Sequence, residues 1–221
     1  MKNYTIDKSL KWDYENGFYL TSEINRIGKL ISHYEIYNLI ANVDGDILEF
    51  GVYKGASIAR LLTFRNLLEG ENGRKVYGFD IFGKFPNNLE LKSDRDFVED
   101  FERQGGFGIE KEELERHLST KGFVNFELIK GDIFSTIPEF LTSHEAINVS
   151  LIHIDVDVYE PTKLILETFW DKLAIGGILM LDDYNVIEGE TKAVDEFFQG
   201  KSIVIEKAKY NKTPYYIIKD K

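Results

Sequence analysis

The sequence predicts an α/β domain: a mostly parallel, seven-stranded sheet with helices on both faces and a C-terminal antiparallel hairpin. Three observations carry that prediction. Short β-rich runs alternate with helical segments along most of the 221 residues, and such alternation implies right-handed crossovers between parallel strands. No Pro-, Ser- or Gly-rich stretch marks a linker, so residues 1–221 read as one domain. The tail "SIVIEKAKYNKTPYYIIKD" sets two strand-like runs on either side of "YNKTP", the pattern of a hairpin.

Taken in order, residues 1–44 form an N-terminal helical cap, in which Ile27, Leu30, Ile31, Tyr34, Tyr37 and Ile40 recur at threes and fours and predict one apolar helix face. "DILEFGV" is the first strand and "SIARLLTFRNLL" the helix after it. "KVYGFDIF" is the second strand, followed by helix "KEELERHL"; "VNFELIKGD" is the third, followed by "TIPEFL". "NVSLIHIDV" and "GGILMLDDY" are the fourth and fifth strands, each leading into a helix, "PTKLILETFWDKL" and "GETKAVDEFF". Residues 87–110 break the rhythm: the segment is polar and acidic, with Gly105, Gly106 and Gly108 after a short helical piece. A lid over a site and a solvated surface excursion account for it equally well.

Composition narrows the function classes. Hydrophobic residues make up 43% and aromatics 14%, enough for a core without staples. A net charge of −11 opposes binding to a phosphate backbone, so nucleic acid is not an expected partner. The absence of cysteine excludes disulfides, thiolate metal sites and cysteine nucleophiles. With no apolar run of membrane-spanning length and no apolar signal core in "MKNYTIDKSL", the expectation is a cytoplasmic protein without membrane partners. Oligomeric state is left open, with a homo-oligomer admissible.

Open parallel sheets bind ligands outside the carboxyl ends of their strands, so the residues at strand exits are the informative ones. The first exit, "LEFGVYKGAS", carries Glu49, Gly51 and Gly55 ahead of a helix that begins near Ser57. Glycines there let the backbone approach a ligand and leave the helix N-terminus facing it. The second ends on Asp80, placed to accept hydrogen bonds from ribose hydroxyls, or else a turn residue. The third carries Asp132, which could bond an adenine amine but reads more readily as a helix cap. Glycine turn, acid and Gly-Asp in succession suggest an adenosine-containing cofactor.

"IHIDVDVYEPT" and "ILMLDDYN" close the fourth and fifth strands with Asp155, Asp157, Asp182 and Asp183. Carboxylates crowded at the ends of apolar strands raise one another's pKa and call for a cation nearby. Asp155, Asp182 and Asp183 could offer three oxygen donors to a hard cation such as Mg²⁺, Ca²⁺ or Mn²⁺. Residues two apart in an extended strand project to one side, which would let Asp155 and Asp157 divide the tasks of holding a metal and meeting a substrate. His153, deeper in the strand, reads as a core histidine before a base, and Tyr159 and Tyr184 as pocket borders or packing aromatics.

"LEFGVYKGAS", "GFD", "HIDVDVYEPT", "GGILMLDDY" and "KAVDEFF" together resemble the S-adenosylmethionine-dependent O-methyltransferases of the macrocin type, which methylate sugar hydroxyls, over about Thr21 to Phe198. Pro161 and Tyr53 stand where that family often has serine and tryptophan. The resemblance implies a Rossmann-like class I methyltransferase with a divalent metal, usually Mg²⁺. It implies Asp155, Asp182 and Asp183 as metal ligands and Asp157 as proton acceptor. It also implies that Glu49, Gly51, Tyr53, Gly55, Ser57, Asp80 and Asp132 line S-adenosylmethionine. The expected partner is a small hydroxylated acceptor: a sugar, nucleotide sugar or glycosylated metabolite, with a catechol-like acceptor as the alternative. A nicotinamide-dependent sugar-modifying enzyme is a further alternative, although the first turn lacks Gly-x-Gly-x-x-Gly. A scaffold that has lost its chemistry would have broken strand exits, and these are intact.

Overall fold

A computed structural model describes residues 6–86 and 89–220. Residues 87 and 88, the start of the candidate lid segment, lie outside the described residues. Helices α1 (Lys11–Thr21) and α2 (Ile24–Leu39) precede strand β1 (Asp46–Phe50), and α3 (Ala56–Leu68) leads to β2 (Val76–Asp80). Next come α4 (Lys92–Gly105), α5 (Lys111–Thr120), β3 (Phe126–Lys130), α6 (Ile133–Ser143) and β4 (Val149–Ile154). The chain finishes with α7 (Tyr159–Phe169), β5 (Leu173–Leu181), α8 (Glu188–Phe198), β6 (Glu206–Lys207) and β7 (Tyr215–Ile218). Among the described residues no helix is long and apolar enough to cross a membrane.

The strands form one seven-stranded sheet in the order β3-β2-β1-β4-β5-β7-β6. β1 to β5 pair in parallel, and β7 runs antiparallel to both β5 and β6. The expected hairpin is therefore present, with its first strand cut to two residues. Strand side chains alternate between two apolar layers. Ile47, Leu151, Ile178 and Met180 pack with residues of α2, α3 and α5, while Leu48, Phe50, Ile152, Leu179 and Leu181 pack with α6, α7 and α8. Strand order reverses between β1 and β4, and a ligand site in such a sheet is expected at that switch point.

One sequence expectation needs correction. The buried face of α2 carries Gly28, Ser32, His33, Ile36 and Tyr37, whereas Ile31 and Tyr34 are exposed. The apolar stripe is offset from the covered face: Tyr37 and Ile40 are fully buried and Ile27 and Leu30 half-buried, while Gly28 lies directly under the backbone of Tyr210, where any larger side chain would collide. Among the described residues between β2 and α5, helix α4 packs onto the rest of the chain. α4 buries Val98 and Asp94, and the Asp94 carboxylate accepts the Tyr159 N–H at 2.8 Å. Beyond it, Gly108 N–H donates to Gly83 O at 3.0 Å and Ile109 N–H to Tyr53 O at 2.9 Å.

Candidate active site

Each exit at the switch point is held in register by one ladder bond past the strand. Gly51 N–H donates to Phe79 O, Asp155 N–H to Phe50 O, Asp182 N–H to Ile154 O and Gly131 N–H to Asp80 O, at 2.8–3.0 Å. Sequence-distant residues thereby share one rim. They line a cleft of about 650 Å³ with Gly51, Tyr53, Ser57, Asp80, Asp132, Asp155, Asp157, Asp182 and Asp183 on its wall.

On the β1–β2 side, Gly51 (φ 91°) and Gly55 (φ 82°) adopt left-handed backbone, and Gly55 opens α3. No side chain caps α3 and its first turn has no acid, so its N-terminal N–H groups stay available to an anion. Asp80 Oδ2 accepts the N–H of Val52 and of Tyr53 at 2.8 Å each, and Oδ1 that of Phe82 at 2.5 Å. It organises the first turn as well as lining the cleft. Asp132 caps α6 by accepting Phe134 N–H at 3.0 Å, the plainer of its two readings, and still borders the cleft. Tyr53 Oη and Lys54 Nζ both donate to Gly105 O, at 2.6 and 2.5 Å, tying the first turn to the end of α4. Glu49, expected beside the cofactor, is not on the cleft wall: it is fully buried, its Oε1 3.3 Å from His153 Nδ1.

On the β4–β5 side the four aspartates divide in two. Carboxylate oxygens of Asp155, Asp157 and Asp183 lie within 4.8 Å of one another. The geometry that brings them together is not the extended strand of the sequence reading, because β4 stops at Ile154 and Asp157 has left-handed backbone, φ 65°. Aspartate tolerates that conformation better than most residues. Burial, and then the charges of their neighbours, push Asp155 and Asp157 well above the usual carboxylate range and raise Asp183.

Asp182, expected in the ligand set, is engaged elsewhere. Its Oδ2 pairs with the Lys29 ammonium, and its Oδ1 lies 3.4 Å from His33 Nε2 and 3.5 Å from His153 Nε2. Burial opposes its charge, but these partners outweigh burial and hold Asp182 well below the carboxylate range. Glu49 and His153 are register neighbours on β1 and β4, which puts Glu49, His153 and Asp182 in one buried row.

The two imidazoles around Asp182 differ in charge. Burial, the largest effect on His33, pushes it down to about 4. Burial also acts to lower His153, yet pairing with Asp182 and Glu49 outweighs it and raises the group to about 10. Because the fold lifts His153 above its ordinary value of 6.5, the group contributes stability that is fully present below pH 6.5 and lost as pH rises toward 10. Urea midpoints of the wild-type protein should therefore fall more steeply over that window than those of His153→Gln. Parallel slopes would mean that the buried row holds no such proton.

Sequence reasoning misses Lys29 and His33, which reach Asp182 from α2, and Glu190, which is fully buried at the start of α8. Glu190 Oε1 accepts Asp183 N–H at 3.1 Å, and Glu190 N–H donates to Asp157 O at 3.2 Å. The available signal for the first two is their four-residue spacing on the covered face of a helix. Tyr159 and Tyr184 do not line the cleft: their hydroxyls donate to Glu196 and Asp195 on α8.

Comparison with known proteins fits this arrangement. The family model described as macrocin-O-methyltransferase (TylF) matches residues 25–216. The 8-demethyl-8-(2,3-dimethoxy-alpha-L-rhamnosyl)-tetracenomycin-C 4'-O-methyltransferase of Streptomyces olivaceus is 28% identical over 156 residues, 67% of this chain and 56% of its own length. Demethyldecarbamoylnovobiocin O-methyltransferase of Streptomyces niveus is 26% identical over 163 residues, 71% of this chain and 59% of its own length. The match thus spans less than two thirds of either relative. The crystal structure of CalS11, a calicheamicin methyltransferase, superposes with a TM-score of 0.79 at 26% identity, covering 98% of this chain and 87% of that one. With a family match running from α2 into β7, this chain belongs to the macrocin-O-methyltransferase family.

Proposed function

We propose that this protein transfers a methyl group from S-adenosylmethionine to a hydroxyl of a sugar, nucleotide sugar or glycosylated metabolite, assisted by a divalent cation, Mg²⁺ before others. The observation that carries the reading is the two-ended cleft. Asp80, Gly51 and the uncapped α3 N-terminus stand at one end, and four aspartates from the β4 and β5 exits stand at the other. The sugar reading is supported by the Streptomyces olivaceus relative, whose name specifies methylation of a rhamnosyl-tetracenomycin, and the O-methyl transfer by that of Streptomyces niveus, named for demethyldecarbamoylnovobiocin.

The residues fit both groups. Three carboxylates forced together and pushed toward protonation form a set that a hard, oxygen-seeking cation would relieve. Asp155 and Asp183 would hold that cation, with Asp182 joining when the Lys29 ammonium gives way. Asp132 and Asp80 would meet the adenosine, and Ser57 with the first turn of α3 the amino-acid carboxylate. When bound, the sulfonium supplies an electrophilic methyl group and the cation supplies charge that acidifies a chelated hydroxyl. The chain itself aligns acceptor and donor along the cleft, a positioning task. Asp157, beside Asp155 and Asp183, takes the hydroxyl proton on a carboxylate oxygen. Lys29, His33 and His153 keep Asp182 ionised and oriented.

Calorimetry should show S-adenosylhomocysteine binding to the purified protein while a nicotinamide dinucleotide gives no heat. The reverse pattern would sink the methyltransferase reading. Methyl transfer to sugar acceptors should stop after chelation and return with Mg²⁺; turnover indifferent to chelator removes the cation from the mechanism.

A further inference from the structure

Two arginines share the cleft wall with the aspartates. Arg26 in the first turn of α2 and Arg60 in the second turn of α3 both line the cleft, on helices that pack together. Lys29, one turn after Arg26, is neutralised by Asp182. Neither guanidinium has a hydrogen-bond or ion-pair partner among the described residues, in a protein that carries 38 acids against 27 bases. Arg26 is exposed and Arg60 half-buried; burial and then the charge of Arg26 work against the protonated state of Arg60, outweighing the carboxylates of Asp182, Glu49 and Asp155.

Two like charges on packed helices, one of them on a half-buried guanidinium and neither in an ion pair, cost free energy that an anion between them would recover. The amino-acid carboxylate of the cofactor does not account for both, because the uncapped N-terminus of α3 and Ser57 already offer it donors. A neutral glycoside would leave them uncompensated. Arginine pairs with phosphate oxygens in the same two-pronged way as with carboxylate.

Resting on the methyltransferase reading above, we propose that Arg26 and Arg60 form a phosphate subsite, and that the acceptor is a phosphorylated sugar, either a sugar phosphate or a nucleoside diphosphate sugar. Its phosphate sits between α2 and α3, and its hydroxyls extend toward Asp155 and Asp157. Neutral glycosides and catechols are thereby disfavoured as acceptors.

The test uses the full chain saturated with S-adenosylhomocysteine, in chelator so that no metal bridges phosphate to the aspartates. Inorganic pyrophosphate should bind with an affinity that falls as salt rises. Arg26→Gln and Arg60→Gln should each weaken it by roughly tenfold or more, the loss of a charge-assisted pair, while S-adenosylhomocysteine binds both variants as it binds wild type. TDP-glucose should displace the pyrophosphate and methyl glucoside should not. Displacement by glucose 1-phosphate as well indicates that one phosphate suffices, and displacement by TDP-glucose alone that the diphosphate is read.

No pyrophosphate binding to wild type, or equal binding by the variants, overturns the subsite. So does loss of S-adenosylhomocysteine affinity in the variants, which would assign the arginines to the cofactor. If S-adenosylhomocysteine fails to bind wild type, the methyltransferase reading falls, and titrating the unliganded protein with pyrophosphate still decides the subsite by itself.

Discussion

Asp157→Asn is expected to lower kcat by roughly 10²–10⁴-fold, the usual contribution of a positioned base, with S-adenosylhomocysteine affinity unchanged. Asparagine preserves shape but cannot accept a proton. The substitution also removes one charge from a crowded set, so the variant should be no less stable than wild type. In the wild-type protein, burial first, then Asp183 and Asp155, hold the Asp157 carboxyl well above its ordinary range. A base works only when ionised, so kcat/KM should rise with pH on an acid limb displaced upward from that of an ordinary aspartate, and Asp157→Asn should flatten it. The Mg²⁺ concentration for half-maximal rate separates the two roles this residue could have. An unchanged requirement with a collapsed kcat marks a proton acceptor. A raised requirement with kcat restored at saturating Mg²⁺ would reassign Asp157 to the ligand set, beside Asp155 and Asp183.

The fold is legible in the sequence because its signals are local. "DILEF" and "VSLIHI" are apolar runs of strand length, and a strand buried on both faces needs nothing more to be recognised. The strand-exit acids are legible for the same reason, since a carboxylate ending an apolar run stands out in one dimension. What acts on those acids is not. Lys29 pairs with Asp182 across a separation of 153 residues, His33 joins it from the same helix, and no spacing rule connects α2 to the β5 exit. Glu49 shows the converse failure. Its place in a glycine turn motif suggests a cofactor ligand, but residues alternate faces along β1, and its face meets His153 beneath the cleft floor. Glu190 looks in one dimension like any other acid of an acidic helix, and only the packing of α8 against the Asp183 turn buries it.

Gly51→Ala is expected to cost about 2–5 kcal/mol, a large part of the stability of a marginally stable domain. Two separate causes combine at this position. The backbone there has φ 91°, left-handed territory that costs a residue with a Cβ roughly 1–2 kcal/mol. The new methyl would also overlap the Asp155 carbonyl oxygen, which belongs to backbone and cannot swing aside. Overpacking of that kind typically adds about 1–3 kcal/mol. Gly70→Ala supplies the control, because Gly70 has a similar φ of 87° and a methyl group added there would meet nothing within 4 Å. It should lose only the strain, and the difference between the two urea midpoints then reports the close approach of the β1 and β4 exits. That approach sets the distance from the first turn to Asp155, so any Gly51→Ala protein that folds should also bind S-adenosylhomocysteine more weakly, whereas Gly70→Ala should bind it normally. Equal destabilisation of the two variants would show that Gly51 is needed for its backbone angle alone and that the β1 and β4 exits are free to separate.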